Sequence, residues 1–123
     1  MDISEHLWRH PAVAAIHSLA ARFGFVPSSS MQDPEAQWAD PSRIDEFIAA
    51  YEAGGLSEDE RFLLMAILLN SFEFADRPLA DWPQWARTLQ LLDRDIALHV
   101  HSVLYFAGPE GSADEGWRIG RNL

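Results

Sequence analysis

The stretch that decides the fold is residues 57–74, which read SEDERFLLMAILLNSFEF. Ser57 and Glu60 match a capping box, in which each side chain binds the backbone amide of the other residue at the start of a helix. The apolar run that follows covers nearly every side of the predicted helix, which is typical of a helix buried on all faces. We therefore predict a central apolar helix over residues 58–74.

Start and stop signals predict helices on both sides of this one. Pro11 suits the first turn of a helix over residues 11–23. Asp40 and Pro41 predict the start of a second helix, in which apolar residues recur at helical spacing as far as Tyr51.

Two further helices are predicted after the central one. Asp81 is the predicted cap of the fourth helix, and a fifth begins near Asp93 or Asp95 and runs to Phe106. The sequence leaves open whether these two form one long helix. Residues 98–106 are also rich in strand-forming side chains, so a strand is the alternative there. From about residue 108, repeated glycines predict an irregular tail. We expect a single all-α domain over 1–123, a compact bundle of about five helices.

Composition bears on the class of partner. Nine basic residues, all Arg, face nineteen acidic ones, which gives a net charge of −10. Such a chain repels phosphate backbones and anionic membranes, so we expect neither nucleic acid nor a membrane as partner. It attracts a basic protein instead. Residues 1–6 lack the pattern of a secretory signal and no apolar run is long enough to span a bilayer, so we expect a cytoplasmic protein.

The acidic residues are concentrated between positions 33 and 60. This segment holds nine acidic residues and one basic residue, a net charge of −8. The alternative explanation is a solvated helix surface that binds nothing. We predict that the segment faces a partner through a set of carboxylates, namely Asp33, Glu35, Asp45, Glu46, Glu52, Glu58 and Asp59.

The sequence predicts no catalytic residue, no metal site and no cofactor. His6 and His10 have the i, i+4 spacing of zinc ligands, but a residue before proline disfavours the helical region and no further ligand accompanies them. His99 and His101 would share one side of a strand, whereas on the predicted helix they point about 200° apart. We expect His99 to pack at the margin of a helix interface.

A pattern of residues between 61 and 106 resembles a known kind of protein. Its parts are Arg61-Phe62-x-Leu64-Met65-x-x-Leu68-Leu69-x-Ser71, Trp85-x-x-x-Leu89, Asp95-x-x-Leu98-His99 and Tyr105-Phe106. It is similar to compact helical bacterial proteins of the immunity kind, which are encoded beside toxins. The resemblance implies tight binding to a toxin, with no catalytic residues and no cofactor.

The charge and the resemblance together predict the function. We expect an immunity-type protein that neutralises a toxin by covering its active cleft with an acidic surface. A small helical scaffold or accessory subunit is the first alternative, and a homodimer is one form that it could take. A small enzyme that uses Glu73 or the pair His99 and His101 is the second alternative.

Overall fold

The chain is helical in nearly all of the part that the structure describes. A computed structural model describes residues 13–26, 37–75 and 79–107, and at positions 80, 101 and 104–107 it describes the backbone alone. These ranges contain no strand, which confirms the predicted all-α fold. Their α-helices are α1 Val13–Phe23, α2 Ile44–Ala53, α3 Glu58–Glu73, α4 Pro83–Arg94 and α5 Ile96–Ala107. The predicted helix start at residue 11 and the tail from about residue 108 lie outside them.

Helix α3 contains the longest unbroken run of buried residues in the described part of the chain. Its capping box forms as predicted: Glu60 N donates to Ser57 Oγ over 3.1 Å, and Ser57 N donates to Glu60 Oε1 over 2.9 Å. Every residue from Phe62 to Phe72 is buried, and the helix contacts α1, α2 and α5. Burying one large apolar side chain stabilises a fold by about 1.5–3 kcal/mol, so this run contributes several such increments to stability.

Helices α2 and α4 lie side by side and point in the same direction. Near their starts, Gln84 Nε2 donates to Asp45 Oδ1 over 3.0 Å. Near their ends, the Tyr51 hydroxyl donates to Asp95, which directly follows α4. Helix α2 ends because Gly54 adopts a φ of 79°, a conformation that glycine reaches without steric cost. The chain can then turn back into α3.

Two helix starts differ from the prediction. Asp40 caps a short 3₁₀ turn, Pro41–Arg43, and α2 begins only at Ile44. The predicted cap at Asp81 is wrong, since Trp82 is the capping residue of α4. The physical reason is Pro83, whose ring pushes the preceding residue out of the helical region and delays the helix.

The chain breaks between α4 and α5 at Asp95. This residue has φ −111° and ψ 31°, so the two segments are separate helices rather than one. Residues 98–106 are helical, which excludes the strand that the sequence left open there. The Asp95 side chain, just past the end of α4, faces the end of α2 and the start of α3.

Candidate functional site

The described acidic residues of the predicted binding surface lie on α2 and on the first turn of α3. Asp45, Glu46 and Glu52 are exposed, while the apolar face of the same helix is buried. Asp45 and Glu52 are seven residues apart, so they lie two turns apart on one side of the helix. Helix α2 therefore presents its carboxylates outward because its other side packs into the core.

Two arginines of the chain already contact this acidic face. Arg43 binds Glu46 with both its Nε and Nη2 groups, over 2.9 and 2.8 Å, and this hydrogen bonding holds the pKa of Glu46 below its ordinary value. Arg87 of α4 forms an ion pair with Glu52. Exposed pairs of this kind contribute about 0–1 kcal/mol, so a partner can compete for these carboxylates at low cost.

The remaining predicted residues divide into two groups. Glu58 is exposed and Asp59 is half-buried, both in the first turn of α3, where carboxylates are favoured by the unpaired helix amides. Their neighbour Glu60, which is not one of the predicted residues, is engaged in the capping box and accepts a hydrogen bond from the Ser18 hydroxyl. Asp33 and Glu35 lie outside the described residues.

The negative charge of the described residues comes from one segment. Residues 37–60 carry seven carboxylates and one arginine, whereas the described residues outside this segment carry four carboxylates and four arginines. The first set has a net charge of −6, and the second is neutral. The net negative charge of the described residues therefore lies on α2, on the turn before it and on the first turn of α3.

A second polar cluster lies where α2 ends and α5 begins. Tyr51 donates a hydrogen bond to Asp95 Oδ2 over 2.7 Å, and its oxygen lies 2.8 Å from Nε2 of His99. Tyr51 and His99 are buried, and Asp95 is mostly buried. Burial and the hydrogen bond to Asp95 raise the pKa of Tyr51 far above its ordinary value, so the phenol keeps its proton.

Two arginines hold the Asp95 carboxylate from the outer side of this cluster. Arg61 Nη1 and Arg94 Nη2 each lie 3.3 Å from Oδ2. Burial raises the pKa of Asp95, but the hydrogen bonds from Tyr51 and Arg94 and the charge of Arg61 outweigh this effect. The pKa therefore lies below its ordinary value and the carboxylate is ionised.

An open cleft lies beside this cluster, between the first turns of α3 and α5. Glu58, Arg61 and Asp95 contribute to its walls, together with the partly exposed Ile96. Neither Tyr51 nor His99 lines the cleft. In this conformation, a molecule in the cleft would contact the charged groups and not the imidazole.

Aromatic side chains surround Arg43, which directly precedes the first residue of α2. Its guanidinium carbon lies 5.1–5.7 Å from the ring centroids of Phe23, Phe25 and Phe47. Trp38 is buried and stacks on Phe25, with ring centroids 4.6 Å apart. This packing restricts Arg43 to the position from which it binds the acidic face.

The structure places two of the residues that the sequence singles out as reactive, His99 and Glu73. The expectation that His99 lies at the margin of an interface is wrong, because its side chain is completely buried. No sequence pattern predicts the pairing of His99 with Tyr51. The available signal is Tyr51 itself, because a tyrosine on an apolar helix face carries a hydroxyl that needs a hydrogen-bond partner. Glu73 is half-buried. The side chain at His101, like the pair His6 and His10, lies outside what the structure describes.

The described ranges contain no group of three or more histidine or carboxylate side chains arranged to hold a metal ion. None of the helices in these ranges has the length and apolar character needed to cross a membrane. Comparison with protein-family models, with curated proteins and with solved structures finds no match to this chain.

Proposed function

We propose that this protein binds a basic protein partner through the carboxylates of residues 37–60, and that it acts in the cytoplasm as an immunity-type protein that neutralises a toxin. The observation that carries the proposal is the concentration of net negative charge in this segment, since the other described residues together are neutral. A local concentration of carboxylates steers a basic protein toward that part of the surface and disfavours other orientations.

The arrangement of α2 supports this role. Its exposed carboxylates stand on a helix whose opposite side is buried against the core, so the surface is rigid before a partner arrives. Among the described residues, Asp45 receives a hydrogen bond from the neutral amide of Gln84 and forms no ion pair, so its charge can bind a cation of a partner. A rigid surface loses little conformational entropy on binding, which favours affinity.

The test compares two variants that remove the same charge from different faces. The variant D45N/E52Q neutralises the outer face of α2, and the control D81N/D93N neutralises two exposed carboxylates outside residues 37–60. Asn and Gln keep the oxygens that accept from Gln84 and Arg87, so each variant should melt close to the wild type. Immobilised wild type and both variants are used to capture proteins from a lysate of the native host.

The expected result is a protein that the wild type and D81N/D93N retain and that D45N/E52Q loses. Its association rate with the wild type should fall as salt increases, and this dependence should be weaker for D45N/E52Q. Co-expression with the wild type should then relieve the toxicity of the captured protein. Equal retention by all three baits would contradict the proposed face, and a captured second copy of the chain would favour the homodimeric scaffold.

A further inference from the structure

The cleft between the first turns of α3 and α5 has the size of a small-molecule site. Its volume is about 380 Å³, and it is open to solvent. Ligand pockets in proteins commonly have volumes of roughly 300–1,000 Å³. Size alone does not identify a ligand, so the chemistry of the walls decides what the cleft can bind.

Two arginines from different helices meet at this cleft, Arg61 of α3 and Arg94 of α4. Their side chains are 28% and 55% exposed, so a molecule in the cleft can reach both. Arg94 also lies over the Tyr51 ring, with its guanidinium carbon 5.7 Å from the ring centroid, and this contact restricts its position. The packed helices thus hold two guanidinium groups together on a chain whose net charge is −10.

Asp95 satisfies only a small part of the hydrogen-bonding capacity of these two groups. Both lie 3.3 Å from the same oxygen, Asp95 Oδ2, whereas strong guanidinium–carboxylate hydrogen bonds measure about 2.7–2.9 Å. The Nε group of Arg61 is buried and has no hydrogen-bond partner among the described residues. Arg43 differs, because it makes three hydrogen bonds of 2.8–2.9 Å. Since each guanidinium offers five N–H donors, Arg61 and Arg94 can donate to a further carboxylate.

The charges of the cleft favour one further anion that carries a single charge. Two guanidinium groups contact one ionised carboxylate, that of Asp95, so one positive charge has no close counter-charge among the described residues. Glu58 also contributes to the walls, but it is exposed and its charge is screened by solvent and salt. A carboxylate would balance the remaining charge and match the planar guanidinium fork, whereas a phosphate would bring excess negative charge.

The remaining walls of the cleft are apolar. Ile96, Ala97 and Leu98 form the first turn of α5 and line the same cleft. Ile96 is 44% exposed, so it offers apolar surface that a ligand can cover. A molecule with a carboxylate at one end and a short apolar chain at the other therefore fits both kinds of wall.

We propose that this cleft binds a small monocarboxylate, with its carboxylate on Arg61 and Arg94 and its apolar chain against Ile96. A free acid and the carboxyl terminus of a peptide share this chemistry. The inference goes beyond the proposed function and does not depend on it, because it concerns an anion and a cleft that the isolated chain forms.

The experiment titrates the isotope-labelled wild type with hexanoate at constant ionic strength and follows the NMR signals of the Ile96, Ala97 and Leu98 amides. Hexanamide is the neutral control of the same size, and acetate tests the apolar wall. We expect saturable shifts with hexanoate, weaker binding of acetate and no binding of hexanamide. Equal binding of hexanoate and hexanamide would overturn the proposal.

The source of the carboxylate is tested in the same way with N-acetylglycylleucine, a short peptide that ends in a free carboxyl group. Tighter binding of hexanoate would assign the cleft to a free acid, and tighter binding of the peptide would assign it to a protein terminus. If neither ligand gives saturable shifts, the proposal is wrong.

Four variants test the roles of the charged residues. R61Q and R94Q should each weaken hexanoate binding about 10-fold or more, because each removes a charged hydrogen-bond donor. E58Q should strengthen it, since a like charge is removed from the cleft. R22Q removes the same charge from an exposed position on α1, outside the cleft walls, and should leave the affinity unchanged.

Circular dichroism of each variant checks that it is folded. If R61Q does not fold, R94Q and the comparison of hexanoate with hexanamide on the wild type still test the site. An affinity loss in R22Q as large as that in R94Q would show a general effect of net charge and would refute the assignment of the cleft.

Discussion

Replacing Tyr51 by Phe removes one hydroxyl and leaves the ring, so it isolates the polar link between α2 and α5. The hydroxyl donates to ionised Asp95 and accepts from His99. A hydrogen bond to a charged group contributes about 1.5–3 kcal/mol, and a neutral one about 0.5–1.5 kcal/mol. Since Asp95 keeps its two arginines, we expect Y51F to reduce the free energy of unfolding by about 2–4 kcal/mol.

The assay is chemical denaturation followed by far-ultraviolet circular dichroism, with thermal melting as a second readout. For a chain of this length, each kcal/mol corresponds to roughly 4 °C, so the melting temperature should fall by about 8–16 °C. The slope of the unfolding free energy against denaturant should be the same for Y51F and the wild type, because unfolding exposes a similar amount of surface in both proteins.

The matched control is T88V, which also removes one buried hydroxyl. The Thr88 hydroxyl donates only to Gln84 O, one turn earlier in its own helix, so its loss should cost less than about 1 kcal/mol. A double variant with D95N should show a coupling of at least about 0.5 kcal/mol with Y51F, as expected for groups in one network. Equal stabilities of Y51F and T88V would refute the reasoning.

Three further predictions concern stability, each checked by unfolding measurements. S57A should lose about 0.5–2 kcal/mol because the capping box is broken, while S57T should keep most of it; equal stabilities would contradict the cap. L68A should lose about 2–5 kcal/mol because the side chain is fully buried in α3, whereas V13A, at an exposed position, should change stability little; a tolerated L68A would count against α3 as the core. Hydrogen bonds from Ser18 and Ser57 hold the pKa of Glu60 below its ordinary value, so its contribution to stability is present above about pH 4.3 and is lost as pH falls through the lower folded value. S18A should weaken this acid sensitivity, and an unaltered pH profile would argue against the contact.

Much of the fold could be predicted because its signals are local. The capping box joins Ser57 and Glu60, which are three positions apart, and apolar spacing marks the buried faces of α2 and α3. The prediction of Asp81 as the cap of α4 is wrong because Asp81 and the Trp82-Pro83 pair both signal a helix start. The proline, which restricts the backbone directly, decides between them.

The polar cluster could not be predicted in the same way. Tyr51 lies 44 residues from Asp95 and 48 residues from His99, so no local spacing connects them. The local sequence around Asp95 predicts a helix start, and no spacing joins this residue to Tyr51 or to the arginines. Which side chains meet at such a junction depends on how helices from distant parts of the chain pack.

The sequence by itself determined the helical class, the buried character of residues 62–72 and the acidic charge of the segment before them, because each depends on neighbouring residues or on composition. The tertiary structure decided which of those acidic residues have cations beside them. Arg87 reaches Glu52 only because α4 lies alongside α2, and Asp45 meets a neutral glutamine for the same reason. It also decided that His99 is buried against Tyr51 rather than placed at a margin, since burial is a property of the whole packed bundle.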